Sequence, residues 1–533
     1  MAGDVGVGGH KPVNFVASPG SLRREMVGAN GTSVETVLVV ATLPLVAVQW
    51  RGAQGADLGL TLLPYAPRPL VTASGPTLVV QVPDNNDEVI VLTLDGAAGE
   101  WRLDGGASSG IRASTDLLEA DRHTLFCAAG TERAVRGALA ARSHIDVHER
   151  AAQVRPARGL TVTTGVRELD EGLAWATVRL RCSLMRGAVD TSRSPPTIAI
   201  PGFFSGIGAL TTGDFEAVSV ALAAWPPSVA SDADPNPVWP AAPLSALLHA
   251  HATLASGDAG FARPMAREVL AGAPQAGGDP ALWALAVDRL ADAMRHADSD
   301  DRIAELRAAA PPPAAMTTQG ALPVIGSGRP TAAHFLRRVL SGSAAEAPPT
   351  GTAALDAALA GWNSVVADPE RGWSLLRGLF REGVEAGPQG PGTWDASDPL
   401  SASGAPVTGT LLAGFVLGGL GAVPDAPSGR LRLGPNFDSH VTSVRVDGIP
   451  LGGSVVGMTY LRTGSVHDFS LEPTVARTPP TIVFEPSLAA TELLGAEVDG
   501  EPAELDWSAT PSRITPRVQL PLDGTRHVRI ETA

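Results

Sequence analysis

Cysteine is almost missing from this chain. Two occur in 533 residues, Cys127 and Cys182, in segments read as different domains. No disulfide framework holds such a chain, and a reducing compartment, the cytoplasm, is expected. Positive charge is in deficit: 40 Lys and Arg face 55 Asp and Glu, for a net charge of -15. An acidic surface repels phosphate backbones, so nucleic acid is excluded as a partner, whereas neutral ligands meet no penalty. The opening MAGDVGVGGHKPVNF lacks a basic stretch followed by an apolar one, so no secretory signal is expected. Metal-ligand spacings, phosphate-cradling glycine loops and a G-x-S-x-G elbow are also absent, so no cofactor and no metal are expected. Uncharged runs of membrane length are rare. The stretch Gly404 to Val423 is one, but it holds Gly404, Gly409, Gly414, Gly418, Gly419 and Gly421 and has no close basic flank. It reads as a buried inner helix, and no membrane association is expected.

What is present is ample apolar material, 44% of residues, with 59 Gly and 45 Pro. That composition and length imply two to four domains rich in turns. The first part alternates short Val-, Leu- and Thr-rich runs, at 34–52, 57–65, 76–82 and 87–96, with Gly, Pro, Asn and Asp, as strands joined by turns do. ERAVRGALAARSHI (132–145) leads out as a helix. From Arg167 the period becomes helical: Leu169, Leu173, Ala176 and Leu180 share a face, and so do Leu282, Leu285, Ala286, Leu290 and Met294. Further helices are expected near 331–341, 352–366, 370–384 and 406–420, and consecutive helices with short joints are hairpins. After Val423 the strands return. Segregated β, α and β blocks mean a multidomain α+β chain: residues 1–150 as an antiparallel β-sandwich, 151–425 helical, and 426–533 as a second antiparallel β-sandwich.

Three stretches carry a resemblance. GVRELDEGLAWATVRLR with PPTIAIPGFFSGIGALTTGDFEAVSVAL, then DADPNPVWPAAPLSALLHAHATLASGDAGFARPMAREVL, and finally LRLGPNFDSHVTSVRVDGIPLGGSVVGMTYLRTG are similar to segments of the six-hairpin glycosidase superfamily. The likeness is to its amylo-alpha-1,6-glucosidase and glycogen-debranching-like members. It is diffuse and spans most of the chain. It implies an (α/α)6-type toroid flanked by two β-sandwiches, a glycoside hydrolase of carbohydrate metabolism, and an oligosaccharide or polysaccharide substrate. It also implies a carboxylate pair acting with inversion, one acid protonating the glycosidic oxygen and one base activating water, about 6.5–9.5 Å apart. The chain departs from the pattern at AGAPQAGGD (271–279), shorter than the segment that often carries the acid in such enzymes. The countable helices also fall short of twelve, so a reduced toroid is expected.

Candidate residues follow. In the family the base often precedes the last inner helix, which points to Asp395 and Asp398, with Trp394 beside them to stack on a sugar ring. Asp234, close to Trp239 in SDADPNPVWP, leads into another inner helix. The competing reading makes these Asp residues turn formers and helix caps. Asp214 and Glu216 start a helix, where acidic residues also belong for dipole reasons. Phe204 either lines a pocket or fills the core. His249 and His251, two apart on a helix, cannot share a metal, and His251 reads as a hydrogen-bonded core histidine. Two other functions compete with hydrolysis. One is a non-catalytic carbohydrate-binding or scaffold protein on a degenerate glycosidase fold. The other is a polysaccharide lyase, which the two tyrosines, Tyr65 and Tyr460, both in β segments, disfavour. Sugar identity, linkage and oligomeric state, including a homo-oligomer, stay open.

Overall fold

The computed structural model describes residues 3–7, 11–18, 21–28, 31–40, 45–53, 57–62, 70–81, 88–95, 100–106, 110–117, 122–145, 159–187, 199–224, 240–272, 280–310, 332–341, 347, 350, 353–385, 404–475 and 478–533. The chain divides into two compact units, Met1–Ala157 and Arg158–Ala533.

In the first unit the run expected at 34–52 forms two antiparallel strands, Gly31–Val40 and Leu45–Arg51, with Val37 opposite Val48. They belong to an eight-stranded sheet; a four-stranded sheet contains Asp57–Leu62 and Gly110–Asp116. Trp50, Leu78, Leu92 and Leu125 from the first sheet share one core with Leu58 and Ala113 from the second. Alternation drives this, since successive side chains of a strand face opposite sides. On the other face, Leu38, Leu45, Ala47 and Phe126 bury Val135 and Ala138 of helix α1, Glu132–Ala140. A buried carboxylate also sits in the larger sheet. Glu35 accepts from Arg24 Nε at 2.6 Å and from Trp50 Nε1 at 2.8 Å.

Eleven helices are described in the second unit. They are α2 Arg167–Gly187, α3 Ala199–Thr211, α4 Phe215–Ala224, α5 Ala241–Ser256, α6 Ala262–Leu270, α7 Pro280–Met294, α8 Asp300–Ala308, α9 Ala332–Val339, α10 Ala353–Ala367, α11 Pro369–Glu385 and α12 Gly404–Ala413. Two kinds are visible. Helix α6 is amphipathic, burying Ala262, Met265, Ala266 and Val269 at helical spacing. Helix α5 is apolar all round and is buried almost throughout, as is α12 from Pro406 onward. Helices of the second kind are interior ones.

Six helices form an interior row by packing in sequence, although α9 keeps His334, Arg337 and Arg338 exposed: α3 on α5, α5 on α7, α7 on α9, α10 on α12, and α12 back on α3. Phe335 of α9 meets Trp362 of α10 edge to face at 6.3 Å. The α3–α12 crossing brings backbones into contact. A Cβ added at Gly409 would lie 2.3 Å from the Phe204 carbonyl oxygen, and one at Gly208 would lie 2.3 Å from Gly409 Cα. The uncharged stretch from Gly404 thus forms α12 and then a π-helical turn, Gly414–Gly419, both buried. Among the described residues no helix is long and apolar enough to cross a membrane.

Two sheets complete this unit. In the seven-stranded sheet, Thr161–Thr163, ahead of the helices, pairs with Ser443–Leu451, behind them. In the five-stranded sheet Arg430–Leu433 runs parallel to Thr481–Phe484, which departs from the wholly antiparallel expectation. Parallel partners need a long crossover, and here the chain between them makes three strands of the other sheet. One hydrophobic core runs from Leu160 through the helices to Ile530, which joins the helical region and the second pair of sheets in a single unit.

Candidate functional site

The ends of the interior helices define the geometry. Gly213, just past α3, packs on Pro450. Gly452 N donates to Ala255 O of α5 at 2.7 Å. His296, past α7, contacts Ser428 Oγ at 3.1 Å. Arg432 donates to Ser341 O beyond α9. Asn436 Nδ2 donates to Val365 O of α10 at 2.7 Å. Gly434 N and Asn436 N donate to Leu420 O and Gly419 O beyond α12, at 3.0 and 2.8 Å. Six C-terminal ends therefore meet residues 428–452, so the six helices share one direction. Each contact also satisfies carbonyls or surfaces that a helix end leaves open.

The predicted catalytic carboxylates, Asp234, Asp395 and Asp398, belong to segments that lead to the opposite ends. Asp234 and Trp239 fall in 225–239, which runs into α5, and Trp394, Asp395 and Asp398 fall in 386–403, which runs into α12; all five lie outside the described residues. Three predicted residues are described. Phe204 is fully buried and meets Phe203 edge to face at 5.3 Å, at the tight α3–α12 crossing. Asp214 caps α4, accepting from Ala217 N at 3.2 Å. Arg181 of α2 ties Asp214 at 2.8 Å to Glu216 at 3.0 Å. Both acids follow the C-terminal end of α3. Of the tryptophans, Trp283, Trp362 and Trp373 are core residues.

A cavity of about 390 Å³ opens at the C-terminal ends. Residues at helical spacing line it: His251, Leu254 and Ala255 from α5, and Arg289 and Asp292 from α7, with Arg295 following. Arg430 and Arg432 reach it from one face of a strand, being two apart, and Arg517 comes from another strand of the same sheet, with Thr481–Phe484 between the two. Ile207, Leu210, Val416, Leu417 and Pro450 supply apolar wall.

Positive charge crowds this space. Burial pushes the Arg432 guanidinium below its usual range; Glu485 opposes that shift, and Arg289 and Arg517 add to it. Burial, with Arg289 nearby, lowers His251 to about 3, so its ring is neutral near pH 7. Two of the carboxylates within reach, Asp292 and Glu485, are already engaged. Asp292 binds Arg295 at 2.6 Å and Arg307 at 3.3 Å, with Arg289 at 3.7 Å. Glu485 binds Arg517 at 3.0 Å. Arg289 Nε and His251 Nε2 are buried without a partner among the described residues.

The histidine pair corrects an expectation. The hydrogen-bonded core histidine is His249, whose Nδ1 lies 2.6 Å from Phe261 O, while His251 is one of the residues around the cavity and its buried Nε2 has no partner among the described residues. A second hollow, beside Tyr460 and His467, measures only about 10 Å³ and holds no more than a water. Cys127 is a free thiol, which burial pushes up. Among the described residues no three His, Cys, Asp or Glu side chains form a metal-binding group.

No protein-family model matches the chain, and no curated protein matches it in sequence. Solved structures do show similarity. A kojibiose phosphorylase, so named, from the human microbiome is 8% identical, with 94% of this chain and 84% of that one covered and a TM-score of 0.46. A family GH92 alpha-mannosidase from Bacteroides thetaiotaomicron is 9% identical, with 95% and 79% covered and a TM-score of 0.43. A family GH92 inverting mannosidase from the same organism is 12% identical, with 92% and 80% covered and a TM-score of 0.41.

Proposed function

We propose that the second unit is an (α/α)6-type toroid that hydrolyses glycosidic bonds with inversion at the N-terminal ends of its interior helices. One observation carries this reading: six helices end on the same pair of sheets, so their N-termini lie at the far end, and a distinct segment of the chain leads into each. Those segments are 188–198, 225–239, 273–279, 311–331, 342–352 and 386–403. Two of them hold the acidic and indole side chains that sugar hydrolysis needs. In this reading Asp395 or Asp398 is the base that activates water, Asp234 is the acid that protonates the leaving oxygen, and Trp239 and Trp394 stack on sugar rings. The packed order α3, α5, α7, α9, α10, α12 supports a ring of full size on the inside.

The short connection at 273–279 favours a second reading, a non-catalytic sugar-binding protein on the same scaffold. Turnover separates the two. Release of reducing sugar from a panel of α- and β-linked oligosaccharides is expected, with the first-formed anomer inverted by NMR. Asp234→Asn, and one of Asp395→Asn and Asp398→Asn, should lower kcat by about 10²- to 10⁴-fold, the usual worth of a general acid or base. Saturable binding with no release from any glycan would establish the second reading, and activity untouched by all three substitutions would overturn the residue assignment.

A further inference from the structure

We propose that the cavity at the C-terminal ends of the interior helices binds a small organic anion, a carboxylate or phosphate ester carried on a compact apolar body. The site lies at the opposite end of the helices from the proposed hydrolytic face and does not depend on it.

The first argument is charge. The chain carries a net charge of -15, yet five arginines, Arg289, Arg295, Arg430, Arg432 and Arg517, line this cavity against Asp292 and Asp425. Their being arginine is uninformative, because Lys11 is the chain's one lysine. Their convergence from α7 and from two strands on one space is informative, since like charges gather at a cost that an anion removes.

The second argument is unfilled hydrogen-bonding capacity. Asp292 is shared among three arginines and Glu485 is held by Arg517. Arg289 Nε and His251 Nε2, both buried, find no partner among the described residues. An oxyanion supplies the acceptors this cluster lacks, and a guanidinium fork matches it in geometry. The third argument is the wall opposite. Ile207, Leu210, Leu254, Val416 and Leu417 give the ligand an apolar seat, and about 390 Å³ suits a small molecule.

A competing role for the arginines is to offset the partial negative charge at helix C-termini. Arg432 does bind a carbonyl there, Ser341 O. That role needs no ligand, leaves Arg289 Nε unused, and gives no work to the exposed Arg430 at the rim.

The experiment is a calorimetric titration of the full chain at constant ionic strength with inorganic phosphate, glucose 6-phosphate and hexanoate, and with glucose as the neutral control. Saturable binding of at least one anion, none of glucose alone, and weakening on adding salt are expected. Hexanoate binding in preference to phosphate identifies the carboxylate source, and the reverse identifies the phosphate ester. Arg289→Gln and Arg432→Gln should each weaken binding about tenfold, the worth of one charge-assisted hydrogen bond. Arg430→Gln, an exposed change that leaves the fold intact, should weaken it severalfold and flatten the salt dependence. The surface control Arg381→Gln should change nothing. Absence of saturable binding by all three anions overturns the proposal, as does anion binding that Arg430→Gln and Arg289→Gln both leave within twofold.

Discussion

Replacing His467 should make the second unit markedly less sensitive to mild acid. His467 is buried, its Nδ1 3.0 Å from Tyr460 Oη, in a stack that continues to Phe469 and Phe437. Burial lowers its pKa to about 4; Arg462 and Arg513 add to the shift and Asp468 opposes it. In the unfolded chain the ring titrates near about 6.5. Between these values the unfolded state binds a proton that the folded state refuses, so stability is full above about pH 6.5 and is lost as pH falls toward 4. Linkage over that window gives a loss of about 2 kcal/mol between pH 7 and pH 4.5 from this one group. Urea unfolding of the full-length wild type and of His467→Gln, followed by tryptophan emission at both pH values, isolates it, because every other titrating group is common to the two proteins. The wild type should lose about 2 kcal/mol more than the variant. Equal losses would show that the folded protein accommodates a charged ring there, and the electrostatic reasoning would fail.

Two further perturbations test the packing. Asp438 is wholly buried, accepts from Arg377 Nη2 at 2.5 Å and from His440 N and Val441 N at 3.0 Å each, and so links α11 to the sheets. Asp438→Ala should cost about 3 kcal/mol in urea unfolding, since it strands a half-buried cation and two backbone donors. Gly409→Ala should cost at least about 3 kcal/mol, because a Cβ there would overlap the Phe204 carbonyl at 2.3 Å and force α3 and α12 apart. Gly378→Ala, mid-helix in α11 with nothing within 4 Å of the new methyl, should instead stabilise by about 0.5–1 kcal/mol. Thermal unfolding of both glycine variants checks the sign.

The helical hairpins were legible because their signals are local. Thr-Gly-Asp after α3 and Ser-Gly-Asp after α5 end one helix at a left-handed glycine, φ 77° at Gly213 and 74° at Gly257, and in the first case cap the next with Asp214. The lack of charge from Gly404 to Val423 marked α12 as a buried helix. The arginine cavity was not legible. Arg289, Arg432 and Arg517 are far apart in the chain, and only tertiary packing brings them together. The roles of His249 and His251 were also beyond reach, since residues two apart on a helix face different neighbours and the pattern does not say which one faces a void. Nor did periodicity reveal the π-helical turn, where Leu420 N reaches back to Phe415 O. That turn follows from Gly414, Gly418 and Gly419 pressing on Trp362 and Trp373.

The way the helices end also explains why the second pair of sheets is not a detachable appendage. A helix leaves its last carbonyls without partners. Here Gly452 N, Gly434 N, Asn436 N and Nδ2, and Arg432 donate to carbonyls at or just beyond the ends of α5, α10, α12 and α9. Trp373 Nε1 donates in the other direction, to Asn436 O at 2.7 Å. Cutting the chain at the expected 425/426 boundary would expose these groups, the Arg377–Asp438 pair and a continuous core together. The sheets thus serve as a shared C-terminal cap. The hydrolysis proposed above falls at the other ends of the helices, where unpaired N–H groups favour negative charge. That environment suits an ionised carboxylate base better than a protonated acid. Of the two functions in the proposed inverting pair, the acid is therefore the one that needs a raised pKa, the role the proposal gives to Asp234.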